Sequence, residues 1–345
     1  MRIATLTLPG RTHFYRLMRR LSPKAIILLY HRVADVEIDP QLLSVSPAHF
    51  SEHMQVLSEF YHPKSLGSIY QEKRTNYFPN HSVMVTFDDG YADNFLVAQN
   101  ILKAYEIPAT VFVTSRMVDN KKEYWWDELE RVFLSPNPLP RQLELLINNE
   151  IISFEFASEL PGSEFEAWNV LSKSPRNSRQ DAYLFLMGFL RKSNFSTREN
   201  LLSEIFAWAG LDRDLGRLKN ISASSKLLSS LPKNGFIDVG AHTVTHPQLS
   251  SLSQSEQESE ISGSKFDLEQ ILDRPIYAFA YPFGERRDYS KDSIRLVRQA
   301  GFNCACSNFS GLTTWLTDPF QLPRYIVRDW DGETFSKKLR GWFES

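Results

Sequence analysis

The first continuous apolar run is Ala25-Ile-Ile-Leu-Leu-Tyr30, and it stops at His31. A run with no polar alternation predicts a strand covered on both faces. Ser46-Pro47 then supplies a capping side chain and a proline for a first helical turn, with Phe50, Met54 and Leu57 at helical spacing behind it. Ser82-Val-Met-Val-Thr-Phe87 predicts a second buried strand, ending at Asp88-Asp89-Gly90. Phe95, Ala98, Ile101 and Leu102 predict a helix over about Tyr91 to Tyr105, Pro108 ends it, and Thr110 to Val113 reads as a third strand. Strand, helix, strand at this rhythm predicts a parallel α/β sheet or barrel.

The rhythm breaks at Met117. Helical patterns cover Trp126 to Leu134, Arg179 to Leu190, and Thr197 to Trp208 behind a Ser196-x-x-Glu199 box, with a strand near Ile151 to Phe156. This block, about 117–225, reads as a mainly helical insertion. The α/β rhythm resumes with Phe236 to Val239 running into Gly240-Ala-His242. A polar helix (Ser253 to Leu272), a strand (Ile276 to Ala280), a helix (Asp292 to Ala300), strands around Cys304 and over Tyr325 to Val327, and a helix from Glu333 to Phe343 follow. The division expected is a basic N-terminal segment, 1–23, and one catalytic domain, 24–345, carrying the insertion.

Of 345 residues, 42% are hydrophobic and 23% charged, with 39 basic residues against 41 acidic. That composition excludes a mainly disordered chain, and a net charge of −2 removes the broad attraction a non-specific nucleic-acid binder relies on. Cys304 and Cys306 stand at alternate strand positions, so they predict small buried side chains on one face rather than a disulfide or a zinc cage. Thr5, Thr7 and Pro9 interrupt the N-terminal apolar character before a secretory core forms, which predicts a cytoplasmic protein. Arg11, Arg16, Arg19, Arg20 and Lys24, mixed with Phe14, Tyr15, Leu17, Met18 and Leu21, suit a short basic amphipathic helix. Packing on the domain is the favoured reading of it; peripheral contact with an anionic membrane face is the other.

Ligand sites in parallel α/β folds lie at the carboxyl ends of the strands. The residues there are His31, Asp88-Asp89, His242 and Tyr281-Pro282-Phe283-Gly284. Two carboxylates at the edge of a buried strand are costly to leave unpaired, and a cation resolves that cost. His242-Thr-Val-Thr-His246 sets two imidazoles four apart, a spacing that chelates one cation if the segment is a helical turn. One carboxylate, two imidazoles and a carboxylate left over match an open hydrolytic zinc site.

These residues resemble the polysaccharide deacetylases of the NodB homology type, carbohydrate esterase family four. The resemblance runs from about Lys24 to Val327, interrupted by the insertion, and rests on Thr86-Phe-Asp-Asp-Gly-Tyr-Ala-Asp-Asn94 and His242-Thr-Val-Thr-His246. It implies a distorted (β/α) barrel with Asp89, His242 and His246 holding a divalent metal, zinc first with cobalt or nickel as alternatives, and Asp88 as general base. Ala280-Tyr281-Pro282-Phe283-Gly284 is similar to a further motif in which the Phe283 N–H donates to the oxyanion, a role worth about 2.7–4 kcal/mol. That motif's arginine is replaced by Ala280, and Arg324 is the substitute candidate, with a plain ion pair as the competing reading. The family's late general-acid histidine is absent, since no histidine follows His246. Tyr30-His31 resembles the exopolysaccharide-deacetylase branch, which implies His31 as the acid.

The reaction implied is removal of an N-acyl group, acetyl first, from an amino sugar in a polysaccharide or glycolipid intermediate. Alternatives are a deformylase or another non-peptide C–N amidohydrolase, and a catalytically weak carbohydrate-binding protein. A near-neutral chain suits a neutral N-acetylated sugar, and no protein partner is inferable. Tyr124-Trp125-Trp126-Asp127 offers aromatic faces for a sugar, although core packing is favoured, and Asp93 and Asn94 are left between capping a helix and reaching the site.

Overall fold

The computed structural model describes residues 22–73, 79–156 and 168–344, apart from positions 173, 176, 215 and 234. The basic segment up to Leu21 lies outside the described residues. Among the described residues twelve strands occur in chain order: β1 (Ala25–Tyr30), β2 (Arg32–Val33), β3 (Ser44–Val45), β4 (His62–Pro63), β5 (Ser82–Phe87), β6 (Ala109–Val113), β7 (Gln142–Ile147), β8 (Glu150–Glu155), β9 (Ile237–Ala241), β10 (Ala278–Ala280), β11 (Cys304–Cys306) and β12 (Tyr325–Ile326). Eight form one sheet in the order β11-β10-β9-β6-β5-β1-β12, with β4 also on β5, and every pairing in it is parallel.

Alternate residues of β1 enter different cores. Ile26, Leu28 and Tyr30 join Val83, Val85 and Phe87 in the layer under the outer helices. Ala25 and Ile27 face Met84, Phe112, Ala280, Cys304 and Cys306 inside the curled sheet. The result is the curled parallel sheet of a distorted (β/α) barrel, with both cysteines on its inner face as their spacing predicts.

The outer helices begin where the sequence predicts. Ser46 caps Pro47–Phe60 by accepting from the His49 N–H, and Ser253 with Glu256 forms a capping box on Gln254–Leu272. The helix behind Asp88-Asp89 differs from expectation: it opens as a π turn, Asn94–Ala98, before turning α over Gln99–Ala104. The helix Phe195–Ala209 is capped by Asn194, whose side chain accepts from Thr197, so the predicted Ser196 box is displaced by two residues.

The block between β6 and β9 builds a second core. Helices Trp125–Phe133, Ser178–Leu190 and Phe195–Ala209 pack with an antiparallel hairpin of β7 and β8. The predicted strand near Ile151 is therefore real, and its partner is Gln142–Ile147, whose alternating exposed and buried residues carry the two-residue period of a half-covered strand. Among the described residues no helix is long and apolar enough to cross a membrane.

Candidate active site

β1, β5, β9 and β10 run in parallel in one sheet, with β6 between β5 and β9, and the segments leaving the carboxyl ends of those four meet at one cavity of about 560 Å³. His31, Asp88, Asp89, His242, His246 and Phe283 all line it. Asp89 has φ +73, Thr243 +64, His246 +57 and Phe283 +61, all in the left-handed region that side chains avoid. Strain concentrated this way at the strand ends must be held by the surrounding structure. Gly90, at φ +78, is required for a second reason: a Cβ there would lie 2.9 Å from Val113 Cγ2.

The two adjacent aspartates have opposite surroundings. Arg324 forks Asp88, with Nη1 2.7 Å from Oδ1 and Nη2 2.6 Å from Oδ2, and its Nε donates to the Ser307 carbonyl at 2.8 Å. Burial alone would raise the Asp88 carboxyl, but the Arg324 charge and its paired hydrogen bonds overcome this and bring it down to about 2. Asp89 has no such fork, and burial raises it above the usual carboxylate range. Its backbone is fixed instead, since the Tyr124 hydroxyl donates to the Asp89 carbonyl.

Asp89 Oδ1 lies 3.6 Å from His242 Nε2 and 3.3 Å from His246 Nε2. His242 Nδ1 is 2.8 Å from the Ala280 carbonyl, and a carbonyl only accepts, so Nδ1 carries the proton and Nε2 presents its lone pair to Asp89. Burial, with the Arg198 charge adding to it, pushes His246 down to about 3, so its ring is neutral too. Three ligand atoms within 4.8 Å of one another would otherwise set lone pairs against a carboxylate. This donor set fits a divalent cation with a position left open.

His242 and His246 do not share a helical turn. They occupy a loop, and the loop is tied from outside: Glu260 accepts from the Val244 and Thr245 N–H groups at 2.8 Å, and Arg198 donates to the carbonyls of Thr245 and His246. Glu260 and Arg198 escaped the sequence reading because nothing near either residue marks them as partners of this loop.

His31 is half-buried on the cavity wall. Asn94 Nδ2 donates to its carbonyl at 2.8 Å, while Asp93 accepts from the Val33 N–H and pairs with Arg32 at 3.0 Å. Neither Asp93 nor Asn94 reaches the cavity; both fix the segment that carries His31. Burial lowers the His31 pKa, with Asp89 and Asp88 opposing. Phe283 packs 4.8 Å from the His246 ring, and its N–H donates to no described residue. Tyr281 turns away to the Phe320 carbonyl and stacks on Tyr289, and Pro282 shapes the turn between them and the cavity. Gly284 completes that turn at φ +66, where a Cβ would meet the Asn308 nitrogen at 2.7 Å.

Trp125 and Trp126 are buried as core packing predicts, yet both also line the cavity. Trp126 stands 4.8 Å from the His246 ring and donates to the Tyr91 hydroxyl, which in turn donates to Asp127. The block between β6 and β9 thus supplies one wall of the site.

The sequence model of the polysaccharide deacetylase family matches residues 75–139 and 215–305, which hold Asp88, Asp89, His242 and His246. Over those two stretches the chain is similar to the polysaccharide deacetylases. Between the two matched parts lie the hairpin and the helices Ser178–Leu190 and Phe195–Ala209. Bacillus subtilis YxkH, provisionally named a polysaccharide deacetylase, is 28% identical over 114 residues, spanning 32% of this chain and 38% of that protein. Two solved structures share the fold. Streptococcus pyogenes deacetylase PplD in complex with acetate superposes with a TM-score of 0.58 at 18% identity, covering 92% of this chain and 99% of that one. IcaB from Ammonifex degensii gives 0.57 at 14% identity, covering 94% and 98%.

Proposed function

We propose that this chain is a metal-dependent deacetylase that hydrolyses the N-acetyl group of an amino sugar in a polysaccharide or glycolipid intermediate. The observation that carries the reading is the split aspartate pair: Asp88 forked by Arg324 and kept ionised, and Asp89 facing the two imidazoles. Asp89, His242 and His246 would hold a divalent cation, zinc in the first instance, which when bound would supply Lewis acidity to the hydrolysis. Asp88 accepts the proton of the attacking water as its oxygen bonds to the carbonyl carbon. Arg324 holds Asp88 in place and in its ionised form. The Phe283 N–H donates to the developing oxyanion. As the C–N bond breaks, His31 gives its proton to the leaving nitrogen, so that acetate and a free amine depart. The acetate in PplD supports acetyl as the acyl group removed.

The test is release of acetate and free amine from N-acetylglucosamine oligomers by the metal-loaded protein. Asp88→Asn should abolish turnover while leaving metal content intact; full activity in that variant would overturn the mechanism.

A further inference from the structure

Besides the catalytic groups, the cavity is lined by Arg191, Arg287 and Arg328, with Glu285 the one additional carboxylate among the described lining residues. Asp88 is already neutralised by Arg324, and Asp89 faces the imidazoles of the metal set. Arg287 pairs with Glu285 at 2.9 Å on the exposed rim, and Arg191 pairs with the buried Asp288 at 2.7 Å while lying over the Phe283 ring.

Arg328 is different. It is half-buried, two residues beyond β12, whose Ile326 pairs with Leu29 of β1, the strand that leads to His31. Its Nη1 donates only to the carbonyls of Gln41 and Leu42, and no described carboxylate lies within 4.0 Å of its nitrogens. Asp39 acts on it from further away, but that carboxylate is occupied by the N–H groups of Leu43 and Ser44. Burial consequently lowers the Arg328 pKa, as expected of a cation lacking a close counter-charge. A guanidinium with one edge tied to neutral carbonyls and its remaining N–H groups free is preorganised for a bidentate oxyanion. The same Arg328 charge is felt by His31, and that of Arg191 by His246, so both cations stand near the catalytic groups.

We propose that Arg328, assisted by Arg191 and Arg287, binds an acidic group of the substrate, a carboxylate or a phosphate carried on the acylamino sugar or on its immediate neighbour. This deepens the deacetylase reading and rests on it. It also replaces the neutral substrate expected from net charge: a total of −2 conceals a guanidinium at the cavity, Arg328, that has no carboxylate partner among the described residues, beside two arginines whose charges Glu285 and Asp288 offset.

Matched probes separate the possibilities. N,N′-diacetylchitobiose is compared with a disaccharide of glucuronate and N-acetylglucosamine, and N-acetylglucosamine with its 1-phosphate. For the metal-loaded full chain, kcat/KM for at least one acidic member should exceed that of its neutral partner by about tenfold or more, and salt should erode the preference. Arg328→Gln should collapse that ratio. Arg287→Gln, at the exposed rim, should reduce it partly and serves if Arg328→Gln folds poorly. Preference in the first pair assigns a uronate, preference in the second a phosphate. Equal or better turnover of both neutral probes, or a ratio that neither variant changes, would overturn the proposal. If no probe is hydrolysed, calorimetry with the two acidic probes decides. Binding that Arg328→Gln abolishes keeps the anion site and refutes the deacetylase reading, whereas absence of binding refutes both.

Discussion

Arg324→Gln tests how the site keeps the buried Asp88 carboxylate, the proposed base, ionised. In the native protein the Asp88 carboxyl falls from its ordinary 3.8 to about 2 against a burial effect that pushes upward. That depression alone corresponds to about 2 kcal/mol favouring the ionised form. Removing the guanidinium leaves only the weaker opposing charges, so the Asp88 pKa should rise past 3.8. The acid limb of kcat/KM should then move up by at least about two pH units. Stability should also fall, by about 3–5 kcal/mol at neutral pH, because a buried carboxylate has lost its partner. The native contribution has a definite pH window. Since the folded pKa lies below the unfolded one, the stability is complete above about pH 4 and is lost as pH falls through about 2. The assays are a pH–rate profile and urea unfolding of the metal-free protein at pH 7 and pH 3. Arg324→Gln with Asp88→Asn should recover part of the lost stability, since the uncompensated charge is then gone. An acid limb that stays in place in Arg324→Gln would refute the reasoning, even if activity drops.

Asp89→Asn, His242→Ala and His246→Ala should each bind markedly less zinc, read by elemental analysis, and should lose the thermal stabilisation that added metal gives the native chain. His31→Gln should lower kcat on the amide by roughly 10²–10⁴, with most of the loss recovered on 4-nitrophenyl acetate, whose phenolate leaves without a proton; equal losses on both substrates would remove His31 from the acid role. Gly90→Ala should destabilise by about 1–3 kcal/mol in urea unfolding, because the new methyl meets Val113 at 2.9 Å on a left-handed backbone.

The barrel was legible because its strands are buried on both faces, and unbroken apolar runs such as Ala25–Tyr30 and Ser82–Phe87 have few other readings. What escaped has a physical reason in each case. Two-residue strands such as β2 and β3 exist only through their pairing with each other, so no local pattern marks them. The π turn at Asn94–Ala98 belongs to a segment whose Asp93 and Asn94 are drawn away to Arg32 and the His31 carbonyl, contacts that span 61 and 63 residues. The His242–His246 spacing suggested two imidazoles on one helical turn, whereas they approach Asp89 from a loop, because that loop is set by Glu260 and Arg198 rather than by helical hydrogen bonds.

Arg324 shows where a residue-by-residue reading reaches its limit. At the position where the resemblance expects an arginine, the chain has Ala280, and Ala280 contributes only its carbonyl, which fixes the His242 tautomer. The guanidinium arrives instead from the segment leading into β12, 236 residues from Asp88 in the chain. β10 and β12 lie on opposite sides of β5 in the curled sheet, and the Arg324 side chain reaches Asp88 from the β12 side. A motif read along the chain cannot represent this exchange, since the requirement is a cation at the Asp88 oxygens and not an arginine at a given place in sequence. The same reasoning makes Arg324→Lys a sharper probe than deletion. Lysine keeps the charge but cannot fork, so the acid limb should move less than in Arg324→Gln while kcat falls through lost orientation. A shift as large as that of Arg324→Gln would mean that paired hydrogen bonds, rather than charge, keep Asp88 ionised.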